Sequence, residues 1–207
     1  MSEEARERVR QHVEAGLRAR EAFFAAHTDT VIEAARAIAV NLARGGKVLL
    51  CGNGGSAADA QHLAGEFINR FKIDRPPLAA IALSTDSSVM TAIGNDFSFD
   101  DIFSKQVQAL GRPGDVLIGI STSGGSANVL RAMEAARAAG VMTIGLTGRD
   151  GGAIARLSDI SLNVSAQITA VVQEVHIAIG HLLCELADYY LFENALALAP
   201  YLEGAQE

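Results

Sequence analysis

The chain has 207 residues, 49% of them hydrophobic, and a formal charge of -7. That length supports one substantial core, so a single domain with helical extensions is the expected organisation. An acidic balance without a dense basic stripe weighs against a nucleic-acid-binding face, and a small anionic ligand would need a local site of its own.

The N-terminus, Ser2-Glu3-Glu4-Ala5-Arg6-Glu7-Arg8, is charged rather than apolar, and no segment stands out as the roughly 20 apolar residues that cross a bilayer. Cys51 and Cys184 lie far apart without C-x-x-C spacing, which indicates neither a disulfide framework nor a zinc ribbon and fits a reducing cytosol. The expectation is a cytoplasmic protein without a membrane partner.

From Glu3 to about Arg44 the chain is rich in Ala, Glu and Arg at helical spacing, predicting two helices broken around His27 to Asp29. After Gly45-Gly46 the apolar run Lys47 to Cys51 leads into Gly52-Asn53-Gly54-Gly55-Ser56 and a helical stretch to about Phe71, a strand, a glycine loop and a helix. The same order recurs at Asp115 to Ile120, followed by Ser121-Thr122-Ser123-Gly124-Gly125-Ser126 and a helix from Ala127 to Ala139. Further apolar runs at Leu78 to Leu83, Met142 to Leu146 and Ile160 to Val164 complete about five strands. Their alternation with helical segments predicts an α/β fold: a parallel sheet covered on both faces. A long helix is expected from Ile168 to about Leu198. The expected layout is an N-terminal helical extension over about 1–45, an α/β core over about 46–165 and the C-terminal helix over about 168–198.

Gly52-x-Gly54-x-x-Ala57 satisfies a relaxed dinucleotide fingerprint. The acidic residue such a site needs is misplaced: Asp74 has the distance but precedes Pro76-Pro77 and the second strand, so no nucleotide cofactor is expected. The second loop is sharper. Four hydroxyls, those of Ser121, Thr122, Ser123 and Ser126, stand where a strand hands over to a helix N-terminus. Such a loop holds a phosphate without lysine, through hydroxyls, exposed amides and the helix dipole. One serine would cap the helix in any case, but one cap accounts for one hydroxyl. Gly119-x-Ser121-x-Ser123 misses a hydrolase nucleophile elbow at its last position.

His62 and Glu66 stand i, i+4 on one helix face, able to reach one metal ion or substrate, although such pairs are commonly solvated. Gln173, Glu174, His176 and His181 sit on the apolar C-terminal helix, where polar side chains need partners. Gln173 and His181 are about 12 Å apart along the axis, so they meet at one point only through long reaches or from different subunits. Asn95-Asp96 alone reads as a turn or cap.

Taken together, the segment Cys51 to Glu66, the Asn95-Asp96 pair, Ser121 to Ser126 and Gln173 to His181 resemble the phosphoheptose isomerase family of sugar isomerase (SIS) domains, in order and over almost the whole chain. The resemblance implies a flavodoxin-like three-layer sandwich and an aldose-ketose isomerase acting on sedoheptulose 7-phosphate through an enediol or enediolate, for bacterial lipopolysaccharide or related glycans. It also implies a homotetramer with active sites between subunits and one divalent metal, zinc, per subunit. Carried over by position, Ser121, Thr122, Ser123 and Ser126 hold the phosphate. Asn53, Gly54, Gly55, Asn95 and Asp96 bind the sugar chain, together with Glu66 and Gln173. His62, Glu66, Gln173 and His181 hold the metal, and Glu66 and His181 serve as base and acid. Two other functions occur in SIS relatives: a non-catalytic protein binding the replication initiator, and a sugar-phosphate sensor.

Overall fold

The computed structural model describes residues 2–203. Five strands, β1 (Val48–Gly52), β2 (Ala80–Ala82), β3 (Val116–Ser121), β4 (Met142–Gly148) and β5 (Ile160–Val164), form one parallel sheet in the order β2-β1-β3-β4-β5. Every residue of β1 and β3 is buried, as a strand covered on both faces requires, which is why these segments read as unbroken apolar runs.

Alternation along the strands divides the core in two. Val48, Leu50, Ile118 and Leu146 face one layer of helices: α1 (Glu3–Ala43), α2 (Gly55–Ile68) and α7 (Thr169–Asp188). Leu49, Cys51 and Leu117 face the other: α4 (Ser104–Leu110), α5 (Ala127–Ala138) and α6 (Gly152–Leu157). The α/β expectation of a five-stranded parallel sheet flanked by helices therefore holds, as three layers. The short α3 (Ser87–Asp96) caps the β2 side and has no buried residue.

Three sequence expectations need correction. The predicted break at His27 to Asp29 is absent, and α1 runs unbroken over 41 residues. No Gly or Pro lies between Leu17 and Arg44. The Thr28 hydroxyl donates to the Phe24 carbonyl at 2.6 Å, and His27 stacks on Phe23. Both polar side chains are thus accommodated by the helix they were expected to interrupt. At the other end, the helix predicted to reach Leu198 stops at Asp188. A π-helical turn, Tyr189–Glu193, follows, and Asn194 leaves the helical basin with φ -138 and ψ 54. That bend allows Leu198 to bury itself against Ala39 and Val40 of α1. Finally, Thr169–Glu193 is long and apolar enough to cross a bilayer by length and composition, contrary to the first reading of the chain. Of its most apolar stretch, 56% is buried inside the fold, as befits a helix packed between α1 and the sheet.

In a parallel sheet of this order the chain reverses direction across the sheet between β1 and β3. The loops after these two strands leave for opposite helix layers, α2 on one face and α5 on the other, and open a crevice at the carboxyl ends of the strands.

Candidate functional site

The serine loop occupies the β3 side of this crevice. Ser121, the last residue of β3, is buried, and its Oγ lies 2.8 Å from Ser126 Oγ and 3.4 Å from Ser123 Oγ. Ser126 stands at the N-cap position of α5 but makes no capping hydrogen bond. The expectation that one serine simply caps the helix therefore fails: this hydroxyl turns inward to Ser121. Thr122 and Ser123 are half-buried beside them. The loop is seated by Gly124, at φ +66, where a Cβ would come within 2.1 Å of the Gly151 carbonyl oxygen. A close backbone approach in the left-handed region admits only glycine comfortably.

The glycine loop faces it from β1. Asn53 and Asn128, the latter in the first turn of α5, exchange two side-chain hydrogen bonds of 2.8 Å each. The pair ties the two loops across the crevice. Asn128 was not singled out in the sequence, since an Asn in the first turn of a helix is an ordinary feature there.

Gly54 and Gly55 are exposed at the start of α2. Gly55 lies against Gln173: a Cβ there would stand 2.1 Å from Gln173 Nε2. Further on, Gly180 lies against Leu63, and His181 meets His62. Contacts that advance together along both helices mean that α2 and α7 run parallel, side by side. Gln173 and His181 therefore meet different turns of α2, Gln173 beside Gly55 and His181 beside His62.

At the second of these turns, His62 Nε2 and His181 Nε2 are 2.9 Å apart, and Glu66 Oε1 is 3.5 Å from His62 Nε2. Phe71 stacks on the His181 ring at 5.4 Å between centroids. Asp59 is the residue that sequence reading missed. Its Oδ2 is buried without a hydrogen-bond partner. Burial pushes its carboxyl above the ordinary range, opposed by a hydrogen bond with Gln173 and by the charges of His62 and His181. The signal was available, since Asp59, His62 and Glu66 stand at i, i+3 and i+7 on one helix face.

Among the described residues no three His, Cys, Asp or Glu side chains stand as a ready-made metal cage. The side chains that could hold a cation here are two imidazoles turned on each other, the adjacent Glu66 carboxylate, the Gln173 amide further back on α7 and the unpartnered Asp59 oxygen. Ligands at about 2.05 Å around a tetrahedral ion lie about 3.3 Å from one another, so the two nitrogens need separate by only a few tenths of an ångström.

Other residues noted in the sequence lie elsewhere. Glu174 turns to α1 and pairs with His12 at 2.7 Å. His176 is buried, with Nε2 2.8 Å from the Thr147 carbonyl oxygen, and burial pushes it down to about 4. It is a neutral imidazole that anchors α7 on β4. Asn95 and Asp96, the last residues of α3, are exposed and hydrogen-bonded to each other at 2.8 Å.

The SIS-domain family profile matches residues 11–148. The phosphoheptose isomerase of Nitratidesulfovibrio vulgaris Hildenborough is 63% identical over 205 residues, 99% of each chain. The solved structure of phosphoheptose isomerase from Neisseria gonorrhoeae is 49% identical, with a TM-score of 0.84 over 89% of this chain and 98% of that one. That of the Francisella tularensis enzyme is 40% identical, with a TM-score of 0.86 over 91% and 99%. The chain belongs to the phosphoheptose isomerase family of SIS-domain proteins.

As a phosphoheptose isomerase family member, an aldose-ketose isomerase, the chain combines two elements that its reaction class needs. A cradle of hydroxyls lies on one side of the crevice, and a carboxylate with two imidazoles lies between α2 and α7. Asn95 and Asp96 stand apart from both, at the end of an exposed helix, and make no contact with either group among the contacts described.

Proposed function

We propose that this protein interconverts sedoheptulose 7-phosphate and D-glycero-D-manno-heptose 7-phosphate, in the cytosol, supplying heptose for lipopolysaccharide or a related surface glycan. The observation that carries this reading is the meeting of His181 with His62 and Glu66 between α2 and α7, an acid-base pair in a chain that also builds a serine-lined anion cradle at the end of β3.

Ser121, Thr122, Ser123 and Ser126 bind the phosphate with their hydroxyls, aided by the N-terminal dipole of α5. Asn53, Gly54 and Gly55 bind the sugar chain, on a loop held by the pairing of the Asn53 side-chain amide with Asn128. Asn95 and Asp96 complete sugar binding, in a homotetramer whose active sites lie at subunit interfaces. Their exposure at the end of α3 supports this assignment.

Isomerisation moves the carbonyl from C2 to C1. Glu66 takes a proton from C1 and returns it to C2 through an enediol or enediolate, while His181 shifts the hydroxyl proton between O2 and O1. A divalent ion, zinc by the family resemblance, would be held by His62, Glu66, Gln173 and His181, and when bound it would polarise the carbonyl and stabilise negative oxygen. Gln173 lies against Gly55 and Asp59, about two turns before His181 on α7, and would extend its amide toward the ion from there.

The test is to incubate the purified protein with sedoheptulose 7-phosphate, with and without a chelator, and follow anomeric proton signals. The aldose signal grows, stops after chelation and returns with added zinc. No aldose under any metal condition overturns the reading; phosphate binding without turnover would leave a sugar-phosphate sensor in its place.

A further inference from the structure

Arg75 lies in the loop joining α2 to β2, with its side chain 1% exposed. Its Nη2 donates to the Glu66 carbonyl at 2.9 Å and its Nη1 to the Phe67 carbonyl at 2.7 Å and the Pro76 carbonyl at 3.1 Å. Its Nε donates to Asp188 Oδ1 at 2.8 Å. The carbonyls of Glu66 and Phe67 belong to the last turn of α2, where no helical amide remains to satisfy them. Asp188 is the last residue of α7.

Because α2 and α7 run parallel, the C-terminal end of α2, with the negative end of its dipole, arrives beside Asp188, where α7 passes into the π-helical turn. Asp188 brings a carboxylate to the same place. One planar guanidinium stands between the two. As a stabilising device alone the arrangement is poor, since a buried ion pair adds little net stability and Asp188 Oδ2 is left without a partner. What the fork does supply is geometry: it binds α2 and α7 in one axial register through several directed hydrogen bonds.

That register decides catalysis. The carbonyl held by Arg75 is that of Glu66 itself, and His181 stands about two turns before Asp188 on α7. We propose that Arg75, braced by Asp188, is a positioning residue that sets the separation of Glu66 and His181. This rests on the reading of those two side chains as the proton-transfer pair. An axial slip of about 1 Å between the helices is enough to lower turnover about 100-fold. The phosphate cradle, on β3 and α5, does not touch the clamp and keeps its affinity.

The experiment measures kcat, KM and the inhibition constant of inorganic phosphate for three variants whose folding and oligomeric state are checked by circular dichroism and light scattering. Arg75→Lys keeps the charge and loses the fork. Arg75→Ala strands Asp188. The double variant Arg75→Met, Asp188→Leu removes both charges, so that neither is left buried alone. The expected result is a kcat lowered about 10- to 100-fold in the double variant and in Arg75→Ala, and less in Arg75→Lys. KM and the phosphate constant stay within about twofold, because the cradle is intact. A folded double variant with wild-type kcat, or a rise in KM with kcat unchanged, overturns the proposal. Failure of all three variants to fold also overturns it, by assigning the clamp to folding alone. Absence of turnover in the unsubstituted protein would instead overturn the isomerase reading and is measured first.

Discussion

The serine loop and the cluster between α2 and α7 are built by different means. The serine loop is made by one continuous segment, Ser121 to Ser126, whose hydroxyls meet each other within a few residues of chain. The cluster of His62, Glu66 and His181 is made by two helices far apart in sequence, and it exists only because α2 and α7 lie parallel in one layer. A local loop is insured by its own turn geometry, whereas an interhelical cluster depends on every contact that seats the two helices. Substitutions in the first should change binding and leave the rest alone; changes in the seating of α7 should reach the second.

The largest effect expected is on chemistry. Glu66→Gln and His181→Ala each lower kcat by about 1,000-fold or more, as removal of a proton-transfer group does, while circular dichroism and oligomeric state stay unchanged. Wild-type turnover in either folded variant would remove the acid-base assignment. In the serine loop, Ser121→Ala should raise the inhibition constant of inorganic phosphate about 10- to 100-fold, the worth of one hydrogen bond to a charged group. Its kcat at saturating substrate should move far less. A Ser121→Ala protein in which kcat collapses while phosphate affinity holds would break the division between loop and cluster.

Acid tests the seating of α7. His176 is held near 4 by burial, against an ordinary value near 6.5, so the folded state keeps it neutral where the unfolded chain takes up a proton. Its contribution is therefore fully present above about pH 6.5 and is lost as pH falls from there toward 4. Between pH 7.5 and 5 the loss is about 2 kcal/mol. Urea unfolding at the two pH values should show that difference, and His176→Gln should reduce it. An equal pH dependence in both proteins would dissociate His176 from the acid sensitivity of the fold.

The same division explains what could be read from the chain alone. Strands β1 and β3 were legible because burial on both faces leaves a continuous apolar run, and the serine loop was legible because its residues are neighbours. The course of α1 through His27 to Asp29 was not, since polar residues suggested a break while Thr28 could satisfy its hydroxyl on the preceding turn. The end of α7 at Asp188 was hidden for the opposite reason: Tyr189 to Leu191 continue a helical pattern, and only the docking of Leu198 on α1 bends the chain. In the site, His62, Glu66 and His181 stood out through their resemblance to a family. Asp59 was marked only by sharing a helix face with His62 and Glu66, and Asn128, whose importance lies in its contact with Asn53, carried no mark that composition or spacing makes conspicuous.

Gly55 offers the finest probe of how the two helices share the site. Its φ is not in the left-handed region, so alanine is compatible with the backbone at the start of α2. The difficulty is spatial. A Cβ at Gly55 meets Gln173 Nε2 at 2.1 Å and Cδ at 2.7 Å, atoms at the far end of a flexible side chain that can rotate away. Gly55→Ala should therefore change stability by less than about 1 kcal/mol, the methyl's restriction of the unfolded chain offsetting the lost contact. With Gln173 displaced from Asp59 and the crevice, kcat/KM should fall about 10-fold, the equivalent of one neutral hydrogen bond. Gln173→Ala should produce a similar loss, and the double variant should be no worse than either alone, because both act through one side chain. Additive losses would mean that Gly55 matters for its own backbone rather than for the room it leaves Gln173. Wild-type kcat/KM in Gly55→Ala would detach the Gln173 amide from the working site.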